Sequence, residues 1–370
     1  MIPRLAIALA AALISATYAA CSGGKAKPSG REPVMSPRPD RPHIGQVAQL
    51  AGVSATTVSH ALNGRRPVSE ATRRRIMEAI DQLGYRPNVV ARGLRAGRTM
   101  TIGLVIPDIT NPFYPLLARG LQDVLGPAGY DEIITNTNGD RELERIALDK
   151  MISRQVDAVA FAVFDTHAAD LQPVIDAGIP AVRLGGRQAQ PGVDLLHTDD
   201  EGAAAEATGY LIERGYRRIG FLSGPAAHGP AAERIMGYQA ALRAAGLKAD
   251  PNLVAQTEFS REGGAEAMTR LLKLRDRPQA VFCANDMMAI GALDVARQRG
   301  LEVPGQLAVM GFDDIEAASL VSPQLTTMAN PAREIGRACA RLLLDRVSGA
   351  ESGPGREIVI PARLIRRESA

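Results

Sequence analysis

The sequence predicts an α/β protein: an N-terminal three-helix module and a connecting helix, followed by a two-lobed core of doubly wound parallel sheet. Three observations carry this. Apolar residues recur at helical spacing in short blocks across residues 44–83. From residue 101 onward, apolar strand-like runs alternate with helical stretches, the pattern of a layered α/β core. Charge divides along the same boundary. Residues 41–98 carry ten arginines against three acids, whereas residues 99–370 carry 28 basic and 35 acidic side chains. An arginine-dense segment ahead of an acidic body points to a polyanion-binding module joined to something else.

At 370 residues, 46% of them apolar and 22% charged, the chain has length and composition for two or three soluble globular domains. Cys21, Cys283 and Cys339 are too few and too scattered for a disulfide framework or a metal site.

Residues 1–42 are an N-terminal extension and arm. The opening "MIPRLAIALAAALISATYAAC" places Arg4 before an apolar run from Leu5 to Ile14 and small residues before Cys21. That arrangement reads as a secretory or lipoprotein signal, too short to span a bilayer comfortably. The competing reading starts the protein at Met35, just ahead of the first folded element, and makes residues 1–34 upstream sequence. Met35 and a cytoplasmic location are the expectation, because the next segment has the features of a DNA reader.

In residues 43–86, Val47, Leu50 and Ala51, with Ala48 beside them, form the apolar stripe of a first helix. Gly52 supplies a left-handed turn. Ser54 caps a second helix whose inward positions are Val58, Ala61 and Leu62. Ser69 caps a third, with Ile76, Ala79, Ile80 and Leu83 on one face and Gly84 at its end. Two short helices joined by a tight glycine turn, with a third behind them, make a helix-turn-helix headpiece. The second helix then presents Ala55, Thr56, Thr57, Ser59 and His60 at or near its exposed side, between Ser54 and Asn63. Small side chains at a helix N-terminus permit close approach to the major groove. Threonine meets a phosphate, a base edge or a thymine methyl, and histidine reaches a guanine acceptor.

Beyond Met100, "TIGLVIPD", "VDAVAFAVFD", "IPAVRLGG", "RIGFLSGP", "AVFCAND" and "LAVMGFDD" read as buried parallel strands. "YDEIITNT" is a poorer strand, since Asp131 and Glu132 replace an apolar start. The number of strands suggests two similar halves. Ligands of such sheets bind beyond the carboxyl ends of the strands, where the pattern places Asp108, Gly224, Asn285 and Asp313. Carboxylates, amides and an arginine around a cleft suit hydroxyl-rich ligands, with aromatic faces covering the ring.

The run "IGQVAQLAGVSATTVSHALNGRRPVSEATRRRIMEAIDQLGYRPNVVARGLR" resembles the headpiece of the lactose-repressor family of bacterial transcription regulators, and the likeness continues to the C-terminal "IPARLIRRES". "TTVSH" is most similar to the purine-repressor branch. The resemblance implies that Ala55, Thr56 and His60 are the main base-reading positions. It also implies that "PNVVARGL", within a linker at 87–99, is a hinge helix whose Leu94 wedges between base steps while Ala91 permits close approach. It implies a periplasmic-binding-protein-like core over 100–370, with Asn111, Phe113 and Tyr114 of "NPFY", Arg234 and Phe259 among the effector contacts. The lobes are expected at about 100–197 with 330–352, and 198–329 with 353–370. His228 and Pro230 depart from the arginine and threonine of the purine branch, so a sugar or sugar phosphate is expected as effector ahead of a nucleobase.

The five histidines (43, 60, 167, 197 and 228) show no metal-ligand spacing, and neither a phosphate-cradling glycine loop nor a nucleophile elbow occurs. No catalysis and no cofactor are expected. The expected protein is an effector-controlled, homodimeric DNA-binding regulator, usually a repressor. A dimer is expected over a tetramer, since no heptad stretch follows "RLIRRESA". The alternative is a secreted, lipid-anchored sugar-binding receptor of a transporter, which residues 1–30 favour and residues 44–95 oppose.

Overall fold

The computed structural model describes residues 42–63, 66–86, 97–162, 168–187, 189–225 and 229–370. The signal-like segment, Met35, Ala91, Leu94 and His228 lie outside the described residues. The chain divides between Asn88 and Val89 into two compact units.

The first unit holds three helices, α1 (Ile44–Ala51), α2 (Ala55–Asn63) and α3 (Glu70–Leu83). Gly52 ends α1 in the left-handed region at φ 63°, and its N–H meets the last carbonyls of the helix. Ser54 accepts a hydrogen bond from the Thr57 N–H at 3.1 Å, capping α2, and Ser69 accepts from the Thr72 N–H at 3.3 Å, capping α3. Val47, Ala48, Ala51, Val58, Ala61, Ile76 and Ala79 form the common core. Arg73 donates from Nη1 to the Ala61 carbonyl at 3.0 Å, tying α3 to the end of α2. One expectation fails: Leu50 is 47% exposed. With roughly 3.6 residues per turn, the face centred on Val47, Ala48 and Ala51 leaves Leu50 about 100° away. The buried side therefore runs through Ala48 instead.

The second unit contains two six-stranded sheets. The first is built from β1 (Thr101–Ile106), β2 (Asp131–Asn136), β3 (Ala158–Phe161), β4 (Ala181–Leu184), β5 (Val193–His197) and β11 (Glu357–Val359), in the order β11-β5-β4-β3-β1-β2, all parallel. Helices α4 (Phe113–Leu125), α5 (Arg141–Ser153), α6 (Ala168–Asp176) and α11 (Ala332–Ser348) belong to this lobe. Both sheet faces are covered, which is why β1 reads as continuous TIGLVI rather than alternating. The poorer strand, β2, lies at one edge of the sheet, which leaves Asp131 exposed; Glu132 is half-buried, and burial pushes its carboxyl up to about 7.

The second sheet follows the order β12-β10-β9-β8-β6-β7. It comprises β6 (Ile219–Ser223), β7 (Val254–Gln256), β8 (Ala280–Cys283), β9 (Ala308–Asp313), β10 (Thr326–Ala329) and β12 (Arg363–Ile365), with only β12 antiparallel. Its helices are α7 (Asp200–Glu213), α8 (Gly229–Ala244), α9 (Arg261–Leu271) and α10 (Asp286–Gln298). The expected lobe boundary at 353 needs correction. Residues 357–359 pair with β5 in the first sheet, so the chain returns to the second lobe only between β11 and β12. Asp194 on β5 pins this return: its carboxylate accepts from Arg346 and Arg356 at 2.6 and 2.9 Å, and from the Arg356 N–H at 2.8 Å.

Candidate functional site

In the headpiece, α2 starts where Ser54 caps it, which points the N-terminal residues Ala55 and Thr56 outward; both are exposed. Thr57 is half-buried, with its hydroxyl 2.9 Å from Ser54 Oγ, so it serves the cap. Ser59 and His60 are half-buried. The Nδ1 atom of His60 is buried without a hydrogen-bond partner among the described residues. Exposed Arg66, Arg74 and Arg75 give this small unit its positive surface.

In the second unit a cavity of about 670 Å³ opens between the lobes. All eight expected effector residues line it: Asp108, Asn111, Phe113, Tyr114, Arg234, Phe259, Asn285 and Asp313. The strand-end rule accounts for Asp108, Asn285 and Asp313, which follow or end β1, β8 and β9.

Arg234, on α8, lines the cavity from the second lobe and is 5% exposed. Its Nε donates to Asp200 Oδ1 at 2.7 Å, its Nη1 donates to the Ala284 carbonyl, and its guanidinium lies 3.6 Å above the centre of the Phe312 ring. Asp200 is also buried; burial raises its pKa and the charge of Arg234 opposes that rise. The backbone of Asp313, the last residue of β9, lies at φ 108°. Burial pushes its carboxyl up to about 7, against the lowering influence of Arg234 and of the Asn330 amide. The turn that carries it is anchored by buried Asp286, which accepts from the Ile315 N–H at 2.9 Å and from the Thr327 hydroxyl at 2.6 Å.

Some expected residues have structural work here. The Asn285 side-chain oxygen caps α10 through the Met288 N–H at 2.8 Å, leaving its amide nitrogen facing the Phe259 carbonyl at 3.4 Å. Asp108 Oδ1 accepts from both the N–H and the hydroxyl of Thr110. Asn111 accepts from the Phe113 N–H at 3.1 Å, which sets the entry to α4. Phe113 and Tyr114 meet edge to face with centroids 5.3 Å apart. Burial, and next the charge of Asp313, push the Tyr114 phenol upward, so it stays protonated. The Phe259 ring lies over Gly224, which follows β6; a Cβ at that position would strike the ring, so the ring can sit there only if it shifts or the residue is glycine.

Asp140, His197, Thr198, Asp200, Glu258 and Asn330, none of them an effector candidate from the sequence, also line the cavity. Thr198 donates its hydroxyl to Asn330 Oδ1 at 2.8 Å, joining two of the crossings between lobes. Recognising β5 and β10 as strands would have found His197, Thr198 and Asn330 by the same strand-end rule. Beside the cavity, Arg187, which follows β4 in the first lobe, contacts Asp199 at 2.7 Å, Glu201 at 3.0 Å and Glu233 at 3.6 Å in the second.

Two family models match the chain: bacterial regulatory proteins of the lacI family over residues 43–88, and a periplasmic binding protein-like domain over residues 208–370. Catabolite control protein A of Priestia megaterium is 34% identical over 330 residues, covering 88% of this chain and 98% of the relative. The HTH-type transcriptional repressor PurR of Vibrio atlanticus is 36% identical over 306 residues, covering 82% and 91%. Among solved structures, the complex of the transcriptional regulator CelR with cellobiose matches with a TM-score of 0.67 and 34% identity, covering 89% of this chain and 100% of that one. The arginine-rich headpiece, the two-lobed cleft and relatives matched over nearly their whole length agree: the chain belongs to the lacI family of bacterial regulatory proteins and is a DNA-binding transcriptional regulator.

Proposed function

We propose that the protein is a homodimeric repressor, without catalytic activity, that reads a pseudopalindromic operator in the cytoplasm and is controlled by a small hydroxyl-rich effector in the interlobe cleft. Two headpieces read the two half-sites through Ala55, Thr56 and His60, with Ser54, Thr57, Ser59 and Asn63 supporting phosphate and base-edge contacts. Leu94 of each hinge wedges into a base step from the minor groove, and Ala91 allows the close approach; unstacking the step kinks the duplex. A helix of about eight residues is marginal alone, so the hinge folds together with DNA and its partner hinge. In the cleft, Asp108, Asn111, Asn285, Asp313 and Arg234 bond the hydroxyls of the ligand while Phe113, Tyr114 and Phe259 cover its ring. A ligand that binds better to one lobe arrangement shifts the population of lobe positions, and with it DNA affinity.

The observation that supports this most is the presence, in one chain, of a capped helix-turn-helix and a cavity lined by a buried arginine and several carboxylates. A receptor for a transporter has use for the second feature but none for the first. An electrophoretic mobility shift on the region upstream of the protein's own gene tests the reading. A sequence-selective, salt-sensitive shift that weakens in Leu94→Ala, with ligand affinity unchanged, is the expected result. Indifference to every duplex at modest ionic strength would refute it.

A further inference from the structure

The charge of the effector follows from what lines the cleft, given that the cleft is the effector site. Five carboxylates face the cavity: Asp108, Asp140, Asp200, Glu258 and Asp313. Against them stand one guanidinium, Arg234, and one imidazole, His197, among the described residues. Neither is a free cation. Arg234 is matched by Asp200 at 2.7 Å, and its guanidinium also meets the Ala284 carbonyl and the Phe312 ring. Both ring nitrogens of His197 are engaged, Nδ1 with the Thr198 carbonyl at 3.0 Å and Nε2 with Glu357 at 2.9 Å.

The other four carboxylates make no ion pair with a lysine or arginine among the described residues, although Asp313 feels the charge of Arg234. Asp108 accepts from Thr110, Asp140 accepts from the Leu143 N–H at 2.9 Å as the cap of α5, and Asp313 faces the Asn330 amide at 3.4 Å. Glu258 is exposed at the rim. Hydrogen bonds from N–H and O–H groups satisfy lone pairs without supplying a counter-charge, and Asp313, held at about 7, carries its charge only in part at neutral pH. A cavity with low-dielectric walls focuses that field and disfavours a second anion.

We infer that the cleft takes an uncharged polyhydroxyl ring and rejects its phosphorylated or carboxylated forms. Acceptor-rich walls pair with hydroxyl donors, and each carboxylate can hold two neighbouring hydroxyls. A phosphate monoester would add up to two negative charges where no unpaired guanidinium or ammonium waits to receive them. Of the two sugar classes expected from the sequence, the free sugar is therefore the effector. The protein then senses the substrate of a phosphoryl-transfer or oxidation reaction, not its product, so the signal falls as that reaction consumes the sugar.

The test is calorimetric titration of the full-length protein with ribose, glucose, galactose and cellobiose, each beside its phosphate monoester and its aldonic acid. At least one neutral sugar binds, and its anionic forms bind at least roughly ten-fold more weakly. In Glu258→Gln the gap between neutral and anionic forms narrows, because a charge is removed at an exposed rim position without disturbing a packed one. An anionic form that binds as tightly as its parent, or a gap that Glu258→Gln leaves untouched, overturns the charge argument while leaving the cleft as a sugar site. Silence from the whole panel overturns the sugar-site reading itself, and this inference with it.

Discussion

Replacing Arg234 with methionine removes the guanidinium but keeps an apolar stem of similar length beside Phe312. The structure sets the size of the effect. Asp200 is 2% exposed and is paired at 2.7 Å with Arg234. Breaking such a pair strands a buried carboxylate, which costs about 3–5 kcal/mol. At roughly 2–4 °C per kcal/mol for a domain of this size, the melting temperature falls by at least about 6 °C.

Two further results distinguish a stranded charge from simple loss of packing. Without Arg234, Asp200 loses the largest influence opposing burial, and its already raised pKa moves further up. A carboxyl with a raised folded-state pKa carries a stability cost that is absent below its unfolded value and complete above its folded one. The loss in Arg234→Met is therefore smaller near about pH 5 than near about pH 8. The double variant Arg234→Met/Asp200→Asn recovers roughly 1–2 kcal/mol relative to the single one, because no charge is left stranded. Effector binding stays lost in both. Thermal and urea denaturation across this pH range provide the measurement. A single variant within about 1 kcal/mol of wild type, or a loss independent of pH, would refute the reasoning.

Three other outcomes are expected. Burial raises the Asp194 carboxyl, but hydrogen bonds from Arg346 and Arg356 outweigh it and hold the group at about 2. Its stabilisation, roughly 2 kcal/mol, is therefore complete above pH of about 4 and fades as pH falls toward 2, and acid denaturation of Asp194→Asn shows a flatter profile there. Gly224→Ala drives a methyl into the Phe259 ring and lowers effector affinity severalfold in titration, with operator affinity in the absence of ligand unchanged. Asp313→Asn removes a half-buried carboxyl held at about 7, so at about pH 8 it raises stability by on the order of 1–3 kcal/mol in denaturant melts while weakening the ligand.

The headpiece was legible in the sequence because its signals are local. Ser54 and Ser69 act as caps, Gly52 and Gly84 as stops, and helical spacing places Val58 and Ile76 inside. Leu50 misled because hydrophobicity alone does not say which of two neighbouring arcs of a short helix faces the core. Among the strands, apolar runs such as β1 and the fully buried β8 announced themselves. The short β7, β11 and β12, three residues each, carry too little pattern to be read without their partners. The same holds for the site. Asp108 and Asp313 follow from strand ends, whereas the pairing of Arg234 with Asp200, 34 residues away, is purely a product of tertiary packing. So is the clasp of Arg187 by three carboxylates of the opposite lobe.

Coupling between the cleft and DNA is tested most directly by fluorescence anisotropy of a labelled operator duplex, titrated with protein at fixed salt. The titration is run with and without a sugar that raises the melting temperature. The sugar is expected to change the operator Kd by at least about five-fold, and Arg234→Met/Asp200→Asn to abolish that change. An operator affinity that is identical with and without a sugar known to bind the cleft would contradict the account.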